Sequence, residues 1–196
     1  MPTEKRLEKM KTVVAQRQNG LVVVLEDIHD PHNAEAIFRS CETFGVQEIY
    51  LIFGKEKPFN PRRVGKASSS SANKWLDFNI YHSTKECLGH LKKNGFKVIA
   101  TALDRKARDL FEADSLGGKK IALLLGNERE GLSEEALRFA DEKIFIPMRG
   151  FVQSLNVSVT AGICLFEITR QRSANGNAKA LPKKDQAALL KKFTAR

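Results

Sequence analysis

The sequence lacks any apolar run long enough to cross a membrane. Stretches such as Leu21–Leu25 and Ile121–Leu125 stop at five residues, against the roughly 20 that a bilayer requires. The N-terminus opens on charged residues with no apolar segment behind them, so no signal peptide is expected and the cytoplasm is the expected location. Cysteine is scarce: Cys41, Cys87 and Cys164 are odd in number, scattered and without metal-ligand spacing. They read as buried free thiols, with neither a disulfide framework nor a metal site. No Gly-x-Gly-x-x-Gly follows the first apolar run, and no loop ends in Gly-Lys-Ser/Thr. A nicotinamide or nucleoside-triphosphate enzyme is thereby disfavoured, and an adenosine-containing cofactor would have to be held in some other way.

Charge of one sign is missing from most of the chain as well. The net charge is +10, yet residues 20–169 carry 20 acidic and 20 basic side chains. Residues 1–19 supply +3 and residues 170–196 supply +7. Two basic ends around a neutral centre suit binding of a phosphate backbone, with a solubilising tail as the alternative. Charge alone does not separate RNA from DNA or an anionic membrane. The stretch Lys55–Lys74 adds Arg62, Arg63, Lys66 and Lys74 as local cations. Ser68–Ser71 within it suggests a mobile, RNA-touching loop.

Periodicity organises the rest. Leu7, Met10 and Val14 stripe a helix over residues 4–18. Leu21–Leu25 is an all-apolar, β-rich run, as a buried parallel strand would be. Asn33 stands at an expected helix N-cap, with Ala34, Ile37, Phe38 and Cys41 facing inward and Gly45 ending the helix. Further strands are expected at Glu48–Phe53, Phe78–Tyr81, Lys97–Leu103, Lys120–Leu125 and Lys143–Ile146. Helices are expected from Ser83 to Asn94 behind a capping box, from Ser133 to Ala140, and over residues 155–172. Alternating strands and helices predict an α/β fold, a mostly parallel sheet with helices on both faces. Ligands bind such sheets beyond the carboxyl ends of the strands, which selects the loops after Leu25, Leu125 and Ile146.

The last helix is apolar on two sides. Val157, Ala161, Cys164 and Ile168 form one stripe, and Leu155, Val159, Ile163 and Phe166 form another. One side fits the protein's own sheet and the other a second subunit, so a homodimer is expected, with burial inside one chain as the alternative.

Three blocks then stand out: Asn33-Ala34 with Phe38-Arg39-Ser40 and Phe44-Gly45; Leu125-Gly126-Asn127-Glu128-Arg129-Glu130-Gly131-Leu132; and Ile146 through Ser154-Leu155-Asn156-Val157-Ser158-Val159 to Leu165-Phe166-Glu167. In this order they resemble the motifs of the SpoU/TrmH family of SPOUT-class RNA ribose 2′-O-methyltransferases, over residues 4–172. Asp30-Pro31-His32-Asn33, Val152–Asn156 and Arg170-Gln171-Arg172 resemble the tRNA-specific branch, which methylates guanosine 18 of the D-loop.

The resemblance implies an α/β knot, a deep C-terminal trefoil that binds S-adenosyl-L-methionine, and a homodimer. It implies a methyltransferase domain over residues 20–173, between a basic N-terminal helix (1–19) and a basic C-terminal extension (174–196). It gives Arg39 as the central catalytic residue, with Asn33, Glu128, Ser154 and Asn156 around it. Thr101, Leu125, Gly126, Ile146, Met148 and Leu155 would hold the cofactor, without a metal. Arg62, Arg63, Lys66, Lys74, Arg170 and Arg172 would meet RNA. Arg39 sits about 140° from Ala34 on a 100°-per-residue helix and so points away from the apolar stripe. A guanidinium, a cation that does not serve as a base, suits electrostatic stabilisation of an alkoxide better than proton removal. His29 and His32 read as loop structure or RNA contacts more readily than as bases. An rRNA ribose methyltransferase of the same family and an inactive RNA-binding relative remain as alternatives.

Overall fold

The computed structural model describes residues 2–64 and 72–196. Lys66 and Ser68–Ser71 lie outside the described residues. In chain order the elements are α1 (Glu4–Ala15), β1 (Leu21–Glu26), α2 (Pro31–Thr43), β2 (Glu48–Ile52), β3 (Asp77–Tyr81), α3 (Thr84–Lys93) and β4 (Lys97–Thr101). They continue with β5 (Arg108–Asp109), β6 (Ile121–Leu125), α4 (Glu134–Phe139), β7 (Glu142–Phe145), α5 (Val157–Ala174) and α6 (Lys183–Thr194).

Among the described residues, seven strands form one sheet in the order β3-β2-β1-β6-β4-β7-β5, with each strand pairing parallel. β1 and β6 occupy the middle and are buried along their whole length, which is why their sequences are apolar without alternation. The two-residue side-chain period still divides them. Leu21, Val23 and Leu25 face Ile37, Phe38 and Cys41 of α2 and Cys164, Leu165 and Ile168 of α5. Val22 and Val24 face Cys87, Leu88 and Leu91 of α3 and Ala136 of α4. Helices therefore cover both faces. The chain runs from β1 outward to β2 and β3, then crosses to build the other side, so the strand order reverses between β1 and β6. That reversal sets the loops after β1 and β6 side by side at the carboxyl edge.

All three cysteines are buried free thiols. Burial pushes Cys87 and Cys164 up to about 12 and Cys41 higher still. Ser83 and Ser133 cap α3 and α4 as expected, accepting from the Glu86 and Ala136 N–H groups. Gly45 ends α2 with φ of 74°; a Cβ there would lie 2.7 Å from the Gln16 carbonyl oxygen.

Two expectations are corrected. α2 starts at Pro31, capped by Asp30, whose carboxylate accepts the His32 N–H at 2.9 Å. Asn33 lies inside the first turn, and its side chain is used elsewhere. The rigid φ of Pro31 at the first helical position sets this start. Arg172, expected at the RNA surface, is fully buried. It continues the inner stripe of α5 four residues beyond Ile168. Its guanidinium donates to Gln18 Oε1 (3.0 Å) and to the carbonyls of Gly118 (2.6 Å), Lys119 (3.1 Å), Asn19 (2.6 Å) and Asn177 (3.0 Å). These carbonyls lie just before β1 and β6 and just after α5, where no ladder satisfies them. β5, only two residues long, has no counterpart among the expected strands.

The two end helices pack together. Met10 and Val14 of α1 meet Leu189 and Phe193 of α6, with Trp75 against the Phe193 ring. The intervening chain is pinned beside α1 by Asn19 N–H to the Lys179 carbonyl (2.8 Å).

Arg172→Met should destabilise the fold by about 3 kcal/mol or more, because the carbonyls it serves lose a charged donor inside the protein. Urea denaturation measures this, and a loss below about 1 kcal/mol would refute the clamp role.

Candidate active site

Parallel strands deliver their following loops to one edge. There the loops after β1 and β6 and the N-terminus of α5 interlock through polar side chains. The Glu128 carboxylate accepts the His29 N–H (2.9 Å), the Asp30 N–H (3.2 Å) and the Asn33 side-chain amide (2.8 Å). Burial alone would raise its pKa; the bonds from Asn33, His29 and Asp30 outweigh that and hold it below the usual carboxylate range. Asn33 Oδ1 in turn accepts from Asn156 Nδ2 at 2.9 Å. Asn156 caps α5, with its Oδ1 accepting the Ser158 N–H (2.8 Å) and hydroxyl (2.6 Å). One residue from each sequence block thus joins a single chain of hydrogen bonds.

Beneath these loops lies a cavity of about 980 Å³. Of the residues expected at a site, Asn33, Thr101, Gly126, Glu128, Ile146, Met148, Ser154, Leu155 and Asn156 line it. Leu125 does not; it is buried in the core at the end of β6. The Thr101 hydroxyl donates back to the Leu124 carbonyl at 3.4 Å. Gly126 is required by a close approach, since a Cβ there would lie 2.5 Å from the Gly131 carbonyl carbon. The 126–131 loop folds back on itself, with the Asn127 and Gly131 backbones paired in both directions at 3.0 Å.

Arg39 is exposed on α2, six residues beyond Asn33, and is not among the described residues lining the cavity. Arg62 and Arg63 are exposed, with Arg62 over the Phe78 ring at 5.6 Å. Lys74 is exposed and its carbonyl accepts from Arg196. Arg170 pairs with Glu167 at 2.6 Å on the outer side of α5. Val159, Ile163 and Phe166 on that outer side are 47%, 37% and 59% exposed, so one chain does not bury them.

Sequence reasoning missed Asp27 and Glu56. Asp27 has φ of 50°, and its Oδ1 accepts the N–H groups of Gly54 (2.8 Å), Lys55 (3.0 Å) and Glu56 (3.0 Å). Glu56 reaches His29 Nδ1 at 2.9 Å, so His29 is part of the loop scaffold. The only local signal was that Asp tolerates the left-handed region better than most residues.

The chain matches the SpoU rRNA Methylase family over residues 20–166. It is 43% identical over 174 residues to the tRNA (guanosine(18)-2′-O)-methyltransferase of Thermus thermophilus, covering 89% of this chain and 87% of that one. Its fold superposes on the TrmH/SpoU tRNA modifying enzyme of A. aeolicus with a TM-score of 0.85 at 34% identity, covering 98% and 96% of the two chains. An AdoMet-bound rRNA methyltransferase from Sinorhizobium meliloti superposes at 0.69 and 27% identity, covering 82% of this chain but 59% of that one. The three sequence blocks, the sheet that gathers them and the long-range matches agree: the chain belongs to the SpoU methylase family.

Proposed function

We propose that the protein is a tRNA methyltransferase that moves a methyl group from S-adenosylmethionine to the 2′-hydroxyl of guanosine 18. The observation that carries this reading is the Glu128–Asn33–Asn156 chain, which brings three distant motif blocks to the edge of one cavity. The tRNA enzyme of Thermus thermophilus is matched along most of its length and the rRNA neighbour along little more than half, which favours tRNA over rRNA. An inactive relative would have no need for Asn33, Glu128, Ser154 and Asn156 to meet at one cavity.

The cavity fits the cofactor in size and chemistry. Its volume suits a nucleoside-sized ligand, and Ile146, Met148 and Leu155 offer apolar walls. Thr101, Gly126 and their loop neighbours place backbone polar groups alongside. When bound there, S-adenosylmethionine supplies a methyl group already activated by its sulfonium. The deep trefoil knot of the family would be formed by the segments around this cavity, between β6 and α5.

The chain's own contribution is positioning and electrostatics. Glu128 is committed to three donors and stays ionised near neutrality, so it organises the loops rather than moving a proton. Asn33 and Asn156 transmit that order to the start of α5. The positive charge of the Arg39 guanidinium stabilises the alkoxide that forms as the ribose hydroxyl loses its proton. Ser154, which lines the cavity, would serve the edge where substrate and cofactor meet. Arg62, Arg63, Lys66, Lys74 and Arg170, with the basic helices α1 and α6, meet the RNA backbone. The exposed stripe of Val159, Ile163 and Phe166 is covered by a second copy of the chain, and the protein works in the cytoplasm as a homodimer.

Arg39→Ala should abolish methyl transfer to tRNA while leaving S-adenosylmethionine binding intact, with ribose-methyl mapping locating the product at guanosine 18. Retention of more than about a tenth of the rate, under 1.4 kcal/mol, would remove Arg39 from the chemistry. Glu128→Gln should cost about 1 kcal/mol at neutral pH, a modest figure because the side chain is partly in water. Its folded carboxyl has a depressed pKa, so this stability is present above about pH 4.5 and lost as pH falls below it. Melting curves of the two proteins should therefore converge in acid; a constant gap would contradict the ionised anchor. Sedimentation equilibrium should give twice the 21.9 kDa chain mass, and Phe166→Asp should shift it to monomer. A wild-type monomer at micromolar concentration would overturn the dimer.

A further inference from the structure

Three arginines occupy equivalent places at the carboxyl edge. β6, β4 and β7 are neighbours in the sheet, and they end at Leu125, Thr101 and Phe145. Arg129, Arg105 and Arg149 are each the fourth residue beyond their strand's end. Adjacent strands lie about 4.8 Å apart, so the three loops start within about 10 Å of one another. Arg105 and Arg129 line the cavity, and Arg149 follows Met148, which also lines it. All three are exposed.

Their lack of ion-pair partners separates them from five other arginines. Arg17, Arg108, Arg138, Arg170 and Arg196 each pair with a carboxylate. Arg105, Arg129 and Arg149 make no ion pair or side-chain hydrogen bond among the described residues. Acids stand beside them but are engaged: Asp104 with Lys143 at 2.5 Å, Glu130 with Lys55 at 2.9 Å, and Glu128 with its three donors. Unpaired like charges gathered at one edge repel one another, and an oxyanion placed among them relieves that repulsion. Guanidinium also matches phosphate with two parallel N–H bonds.

We propose that Arg105, Arg129 and Arg149 form a phosphate clamp, holding the RNA backbone on either side of the methylated ribose over the cavity mouth. This rests on the tRNA-methyltransferase reading. The same chemistry would suit the carboxylate of the cofactor's methionine. Three forks spread across three strands exceed what one carboxylate accepts, and a backbone with successive phosphates matches them better.

The test compares wild type, the triple Arg→Ala variant and the triple Arg→Lys variant. Affinity for unmodified tRNA is measured across a salt series, and affinity for S-adenosylhomocysteine by calorimetry. The alanine triple should bind tRNA at least tenfold more weakly. Its slope of log affinity against log salt should be shallower by about two units, since each phosphate contact contributes about 0.7–0.9. The lysine triple should keep most of that slope, and S-adenosylhomocysteine affinity should stay within about twofold of wild type. An alanine triple that matches wild type in slope and affinity overturns the clamp. A tenfold loss of S-adenosylhomocysteine affinity with an intact tRNA slope assigns the arginines to the cofactor and overturns it equally. If the triple does not fold, Arg149→Ala on its exposed loop should lose close to one unit of slope, and no loss refutes the proposal. A wild-type protein that neither methylates nor binds tRNA would sink the functional reading itself, a result distinct from failure of the clamp.

Discussion

Glu128 is the point on which the active edge turns. Its carboxylate lies 98 residues from Asp30 and 95 from Asn33 in sequence, and binds both. Without an acceptor there, the N–H groups of His29 and Asp30 would have no partner in the loop, and Asn33 would not be aligned to receive Asn156. The sheet brings the loops near one another; this anion fixes how they meet. Its hydrogen bonds outweigh a desolvation cost that pulls the other way, and a neutral side chain could not accept all three donors.

The same economy recurs along that edge. Glu26 accepts from the Thr84 hydroxyl and from the Ser133 hydroxyl and N–H. Asp27 gathers the three N–H groups of residues 54–56. Parallel strands end in loops whose amides have no ladder to join, so acceptors must come from side chains. These acids are therefore spent on architecture, and none of the three is placed to act as a free proton acceptor. A site built this way relies on fixed charges and geometry rather than on a carboxylate base.

Strand identity was legible because burial on both faces writes continuous apolar runs, as in Leu21–Leu25 and Ile121–Leu125. The inner stripe of the last helix was legible as well, and three residues of the outer one, Val159, Ile163 and Phe166, are left exposed by this chain. Side-chain direction near helix ends was not. Asn33 has the residue type of a cap, but Asp30 followed by Pro31 makes a better start, and one turn of difference converts a presumed cap into a link of the central chain. Arg172 misled for a related reason: a guanidinium in a basic, C-terminal segment looks solvated until the carbonyls of residues 19, 118, 119 and 177 converge on it. Such convergence depends on where three separate segments lie, which no local pattern records. β5 is two residues long and leaves no periodicity to read.

The charged ends illustrate why composition and packing must be read together. Residues 170–196 carry most of the excess charge, yet α6 also covers Met10 and Val14 of α1 through Leu189 and Phe193. Removing that segment would expose an apolar stripe along with deleting lysines, so a loss of RNA affinity on truncation would have two causes. Neutralising exposed lysines such as Lys183, Lys184 and Lys191 leaves the α1–α6 contact in place and isolates the electrostatic part. The helix pair thus couples the two basic ends into one body, and the footprint of positive charge is held at a fixed orientation rather than trailing as a tail. Under the proposed RNA-binding role, a fixed footprint loses less entropy on binding than a loose one would, so the apolar contact between α1 and α6 would serve binding as well as stability.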